Sequence, residues 1–180
     1  MKNVIFSLSL IFLAGSVSAF NGLPSADKLV NCPSSPANSK GESDLNRTAF
    51  YKAMESEDKT LVDAQISALN TAPSNIQNAF LGAITMKRAG IGGNPISKLS
   101  RFKKGHKLLE DAIKEDPGNA EFRFLRLMIQ ENAPGILGYK DDEEKDSEFI
   151  RNSYKLLPED LQKTITNYNK ISKVLNLQPS

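Results

Sequence analysis

Apolar residues recur every three or four positions along most of this chain, which is the spacing of helices that bury one face. From Ser43 onward, Leu45, Ala49 and Ala53 fall on one side, with Phe50 and Met54 beside them. A second helix starts at Asp58, a favoured N-cap residue, and carries Val62, Ile66 and Leu69. It stops at Ala72-Pro73, because the residue before a proline is driven out of the helical region. Ser74 and Gln77 spell a capping box for a third helix: the serine oxygen accepts from the Gln77 amide while the Gln77 side chain reaches back. Ile76, Phe80, Ala83 and Met86 line that helix. Lys87 and Arg88 suit the dipole of its last turn, and Gly90 stands where a left-handed C-cap residue is expected.

Residues 91–95 read as a loop. A fourth helix covers about residues 97–116, with Leu99, Phe102, Leu109, Ala112 and Ile113 as its buried stripe, and Pro117 ends it. Asn119 can cap a fifth helix over residues 120–132, where Phe122, Phe124, Leu125, Leu127, Met128 and Ile129 run nearly all the way round. A helix apolar on every side is buried on several sides, so this one belongs at the centre. Asp141, Asp142, Glu143 and Glu144 load the start of a sixth helix with acid, and Phe149, Ser153, Leu156 and Leu157 give its inner face. Pro158 restarts the chain at a favoured first-turn position, and Leu161, Ile165, Tyr168, Ser172 and Leu175 form a last stripe that ends near Asn176. No segment alternates with β-branched and aromatic enrichment, as a strand would. The expectation is an all-α fold of about seven helices, with short connections stacking sequential neighbours as antiparallel hairpins.

The first 42 residues follow another pattern. Lys2 precedes a run over residues 4–14 that is apolar except for Ser7 and Ser9, and Val17-Ser18-Ala19 supplies small side chains after it. This is the pattern of a secretory signal cut after Ala19. A membrane-spanning helix needs about 20 apolar residues, and this run is shorter. Residues 20–42 are rich in Ser, Pro, Asn and Gly and read as an extended arm, with residues 26–30 as its one candidate structured piece. The domain order is therefore a signal at 1–19, an arm at 20–42, one helical domain at 43–176 and a tail at 177–180. An exported protein, periplasmic or extracellular, is expected, with no transmembrane segment in the mature chain.

Composition narrows the chemistry. The lone cysteine, Cys32, allows no disulfide within the chain, and Leu29-Val30-Asn31 before it does not suit a lipid-modification site. It is either a small thiol in the arm or a link between chains. Twenty-three basic against 21 acidic residues leave the charge near neutral, and no basic stretch is long enough to suggest a nucleic-acid partner. The chain has no tryptophan, which excludes a tryptophan-anchored binding hot spot.

Gly105, Leu109, Ala112, Pro117 and Asn119-Ala120-Glu121 stand at the spacing with which a tetratricopeptide repeat packs its second helix, and Leu81-Gly82 looks like the Leu-Gly pair of that repeat's first helix. Residues 102–127 therefore resemble one tetratricopeptide unit. Asn78 and Thr85 depart from the aromatic and the tyrosine of the repeat, and the interval from Gly82 to Gly105 is about eleven residues longer than a repeat of roughly 34 residues allows. The wider run through Asp116-Pro117-Gly118-Asn119, Arg123-Phe124-Leu125-Arg126 and Leu137-Gly138-Tyr139 is similar to a group of small exported bacterial proteins described as tetratricopeptide-like. The resemblance implies a right-handed superhelical array of helix pairs, a bacterial source and export. It also implies binding of a protein or peptide, and it carries no catalytic residues.

Several motifs have a chemical and a plainer reading. Gly90-Ile91-Gly92-Gly93-Asn94 lacks the Lys-Ser/Thr and the preceding strand of a phosphate loop, so a helix-to-helix loop is the default. The acidic run from Asp141 lacks the glycine and the final glutamate of a calcium loop. His106 with Glu110 one turn on could share a metal, but no His/Cys cluster completes the site, and a packed histidine is favoured. A Cys32–His106 nucleophilic pair is possible in principle. Arg123 and Arg126, one turn apart on a greasy helix, could offer a forked site to a carboxylate; otherwise they form internal ion pairs with Glu121, Glu131 or the acidic sixth helix. Tyr139, with Ile136 and Leu137, is either an exposed binding lip or a loop folded back over the core. Asn46-Arg47-Thr48 is a glycosylation sequon that matters only in a eukaryotic secretory pathway.

No catalytic, metal or cofactor constellation emerges. The functional expectation is an exported helical interaction module for an unidentified protein or peptide, with Arg123, Arg126 and Tyr139 as candidate contacts. Its rivals are a small-molecule binder or enzyme with a pocket between helices, and a structural subunit of an envelope assembly.

Overall fold

The computed structural model describes residues 45–71 and 74–178. The expected export signal, the arm with Cys32 and the Ala72-Pro73 stop lie outside the described residues. Among the described residues there are seven α-helices and no strand: α1 (Arg47–Glu55), α2 (Lys59–Leu69), α3 (Asn75–Gly90), α4 (Pro95–Glu115), α5 (Ala120–Asn132), α6 (Glu143–Ser153) and α7 (Glu159–Asn169). Short 3-10 turns, Gly135–Leu137 and Tyr154–Leu156, precede and follow α6.

Each of the first five helices starts on a side chain that accepts from its own first turn. The caps are Asn46, Asp58, Ser74, Asn94 and Asn119. Asn119 Oδ1 takes both the Glu121 and the Phe122 amides, at 3.1 and 3.2 Å. Ser74 Oγ accepts from the Gln77 amide at 3.2 Å, but the return half of the expected capping box is not made. Gln77 is buried, and its Oε1 has no hydrogen-bond partner. Gly90 also departs from expectation: it is the last residue of α3, and the left-handed conformations fall on Gly92 and Gly93 instead.

The helices α3 and α4 form a close antiparallel pair. Asn75 at the start of α3 donates to the Ala112 carbonyl near the end of α4, and Gly82 faces Gly105 and Leu109 in the middle. A Cβ on Gly82 would lie 2.7 Å from both the Gly105 oxygen and the Leu109 nitrogen, and one on Gly105 would lie 2.9 Å from the Met86 nitrogen. The backbones therefore touch where neither residue has a side chain. Gly105 and Gly82 are the two halves of this close approach.

At the centre lies α5, with eleven of its thirteen residues buried. Phe124 takes edge contacts from Tyr168 of α7 and a tilted contact from Tyr51 of α1, at centroid distances of 5.5 and 5.9 Å. Phe50 and Phe80 meet edge to face at 4.6 Å and join α1 to α3. Rings in this geometry add about 0.5–1.5 kcal/mol per pair beyond the area they bury.

Two expected faces and one helix end are corrected. Leu99 is exposed rather than part of the α4 stripe, because six residues before Gly105 it lies about a third of a turn round the helix from the side that meets α3. The inner face of α6 is Asp146, Ser147 and Ile150, while Phe149 is half-buried and Leu156 is 87% exposed. Charge turns this helix: Asp146 is drawn inward by two buried arginines. The last helix ends at Asn169 rather than near Asn176. Beyond it, Glu131 of α5 accepts from the Ser172 hydroxyl and the Lys173 amide, and Asn169 bonds both backbone groups of Leu177. These contacts replace helical ones and leave Leu175 fully buried.

Candidate functional site

Two polar assemblies are anchored on α5, one in its middle and one at its start. The first is built around Asp146, whose side chain is wholly buried. Arg126 grips it with two donors, Nε to Oδ2 at 2.6 Å and Nη2 to Oδ1 at 2.8 Å. Arg123 Nη1 adds a third donor, to Oδ1 at 3.0 Å. The remaining Arg126 nitrogen, Nη1, reaches Glu110 at 2.8 Å and Asp142 at 3.3 Å. Arg123 spends its other donors on the Pro117 carbonyl and lies over the Phe149 ring, 4.4 Å from its centroid. Burial works against the charge of Arg126, but Asp146, Glu110 and Asp142 outweigh it and hold the guanidinium above its ordinary pKa.

Tyr139 closes the assembly. Its hydroxyl donates to Glu110 Oε1 at 2.6 Å, and its ring packs on His106 and Phe102 of α4 at 4.8 and 5.6 Å. The loop thus divides: Tyr139 is buried, Leu137 is half-buried and Ile136 is 95% exposed. Burial and the neighbouring Glu110 carboxylate push the Tyr139 phenol well above the ordinary tyrosine range.

The structure therefore places Arg123, Arg126 and Tyr139 together, facing inward. The fork that the two arginines offer to a carboxylate is occupied by Asp146 from α6. Glu110 serves Tyr139 and Arg126, while His106 packs against aromatic rings. Among the described residues, no group of three His, Cys, Asp or Glu side chains is placed to hold a metal ion. The loop at Gly90 to Asn94 joins α3 to α4, and Asn94 is spent as a cap. In the acidic run, Asp142 and Asp146 answer the arginines, Glu143 pairs with Lys140, and Glu144 pairs with Arg151. The side chain of Asn46, the sequon asparagine, caps α1.

The second assembly corrects an expectation: Glu121, a candidate partner for Arg123 or Arg126, pairs with α1 instead, and Glu131 bonds the segment after α7. Glu121, in the first turn of α5, is buried and accepts from Arg47 Nε on both oxygens, at 3.0 and 3.1 Å, and from Arg47 Nη2 at 3.1 Å. The Tyr51 hydroxyl donates to the same carboxylate at 3.0 Å, and burial followed by this neighbour raises the Tyr51 pKa well above its usual value. Beside this ion pair opens a cavity of about 390 Å³ between α1, α3, α5 and the start of α7. Ile76, Leu157 and Leu161 give it apolar walls, Glu121 lies in its lining, and the exposed Pro158 and Asp160 stand on its rim. The signal for Glu121 was faint: it is an acid one residue into the most apolar helix, where dipole complementarity explains it without a partner.

Among the described residues, no helix is long and apolar enough to cross a membrane. The chain matches no known protein family. It also matches no curated protein and no solved structure.

Proposed function

We propose that this chain is an exported helical module that binds a segment of a protein or peptide, and that the groove at the start of α5 is its contact site. The groove carries the reading. Apolar walls from Ile76, Leu157 and Leu161 surround a carboxylate, Glu121, already oriented by Arg47 and Tyr51, and the exposed Asp160 adds a second acid at the rim. Arg47 already neutralises Glu121, so the site suits an apolar side chain in the groove with a basic one reaching Asp160 at the rim. A carboxylate held in place by its own neighbours needs no reordering on binding, which saves part of the entropy that association costs.

The finer architecture, a right-handed tetratricopeptide-like array, is proposed on the α3–α4 hairpin with its Gly82–Gly105 approach. In an extended array each unit touches only its neighbours. Here α1 and α7 both reach Phe124 of α5, so the array would have to be short and closed around its central helix.

The test is capture from the envelope fraction of the source cell with the wild-type chain and with a Leu157→Ser/Asp160→Lys double variant. A partner held by the wild type and lost by an equally helical variant supports the reading. A partner held equally by both removes the groove from it.

A further inference from the structure

The charge of this protein is unevenly distributed along the chain. Between Asp63 and Glu110 there is no acidic residue, whereas Lys87, Arg88, Lys98, Arg101, Lys103, Lys104 and Lys107 all fall there. Three of these are answered from outside the interval or by the last turns of α4: Lys87 by Glu57, Arg88 by Asp63 and Lys107 by Asp111. Lys98, Lys103 and Lys104 meet no acidic side chain among the described residues.

The same stretch carries apolar side chains that no described residue covers. Ile96 is 83% exposed and Leu99 45% exposed, and with the exposed Lys103 they follow the i, i+3, i+7 spacing of one helical face. Ile136, also exposed, stands on the turn whose Tyr139 packs against Phe102 and His106 of this helix. Isolated apolar residues on a surface are ordinary. Two exposed apolar side chains on one face, with the unanswered Lys103 and Lys104 on and beside it, combine apolar and basic groups as an interfacial helix does.

We infer that the amino-terminal half of α4 docks on an anionic phospholipid surface, with Ile96 and Leu99 entering the interface and Lys103 and Lys104 meeting headgroup phosphates. Charge complementarity selects an anionic occupant. Protrusion favours lipid over an acidic polypeptide: a protein partner needs a pocket shaped to Ile96, whereas a bilayer interface accepts a projecting side chain of any shape. This inference is independent of the groove at the start of α5, whose lining shares no residue with the face.

Flotation with lipid vesicles tests it, using the processed chain recovered from the soluble fraction of an exporting host. The vesicles are pure phosphatidylcholine, or equal parts phosphatidylcholine and phosphatidylglycerol. The wild type is expected on the anionic vesicles, with weaker binding as salt rises. Each lysine near such a surface contributes about fivefold, so Lys103→Glu/Lys104→Glu should lower binding by more than roughly twentyfold. Ile96→Ser/Leu99→Ser should lower it several-fold, with helicity unchanged in both because all four side chains are outside the core. Equal binding to the two vesicle types overturns the inference, as do variants that bind like the wild type. Failure to bind anionic vesicles at low salt, with retention on immobilised polyglutamate, also overturns it and gives the face to an acidic polypeptide.

Discussion

Asp146 is one side chain on which the packing of α6 against α5 depends. It takes three donors from two arginines, and each arginine is itself largely buried. Removing one partner of such a set leaves charge buried without compensation, which costs about 3–5 kcal/mol. Asp146→Ala is therefore expected to lower the urea midpoint by that equivalent, and Arg126→Glu to do at least as much. A loss below about 1 kcal/mol on the conversion used for surface pairs would show the network to be solvated. The buried phenols make a second prediction. Tyr51, Tyr139 and Tyr168 all have folded pKa values raised above the ordinary tyrosine value of about 10, by burial first and then by Glu121, Glu110 and Glu131 respectively. The fold then holds these protons more tightly than the unfolded chain does. Their contribution is complete below about pH 10 and declines as pH rises past it. Absorbance near the tyrosinate band should show these three ionising only together with loss of helicity; ionisation in the helical protein would contradict it.

Glycines on α3 and α4 have opposite roles at the scale of the element. Gly82 and Gly105 each stand against the backbone of the other helix, so an added methyl must push the pair apart. Overpacking of this kind costs about 1–3 kcal/mol, which exceeds the gain of about 1 kcal/mol that alanine brings to a helix. Gly82→Ala and Gly105→Ala should both lower the thermal midpoint. Gly90, exposed at the end of α3 and with nothing within 4 Å of its missing Cβ, should show the reverse: Gly90→Ala raises the midpoint slightly. If all three shifts had the same sign, the close crossing would not be the constraint it is in this structure. The boundaries of the elements were readable wherever local chemistry sets them. Asp58, Ser74 and Asn119 cap the helices that the residue pattern placed after them, since a cap needs only its own first turn. The end of α7 was not readable in this way, because Glu131, far away in sequence, captures the Ser172 hydroxyl and the Lys173 amide.

At the scale of the whole described body, the segment after α7 completes the core. Leu175 has no exposed surface, and Arg151 of α6 donates to the Val174 and Leu175 carbonyls. Leu175→Ala should cost about 2–5 kcal/mol, the range for a large side chain removed from a tight interior. Calorimetry showing a surface-like loss of under about 0.5 kcal/mol would place the segment outside the cooperative unit. The helical class and the central burial of α5 were legible from periodicity alone, because a helix apolar around its circumference has only one stable place. The site was far less legible. Arg123 and Arg126 left open both an outward fork and an internal pair, and only the arrival of Asp146 beneath them shows what occupies their donors. Glu121 gained its partners from Arg47 and Tyr51, more than 60 positions away. Helices, caps and the buried stripe follow from interactions within a few residues, and the sequence by itself determined them. Which charge meets which, which face of α6 turns inward and where a groove remains depend on contacts between distant segments. Only the tertiary structure decided those, because a buried charge takes whichever partner the packing brings within reach.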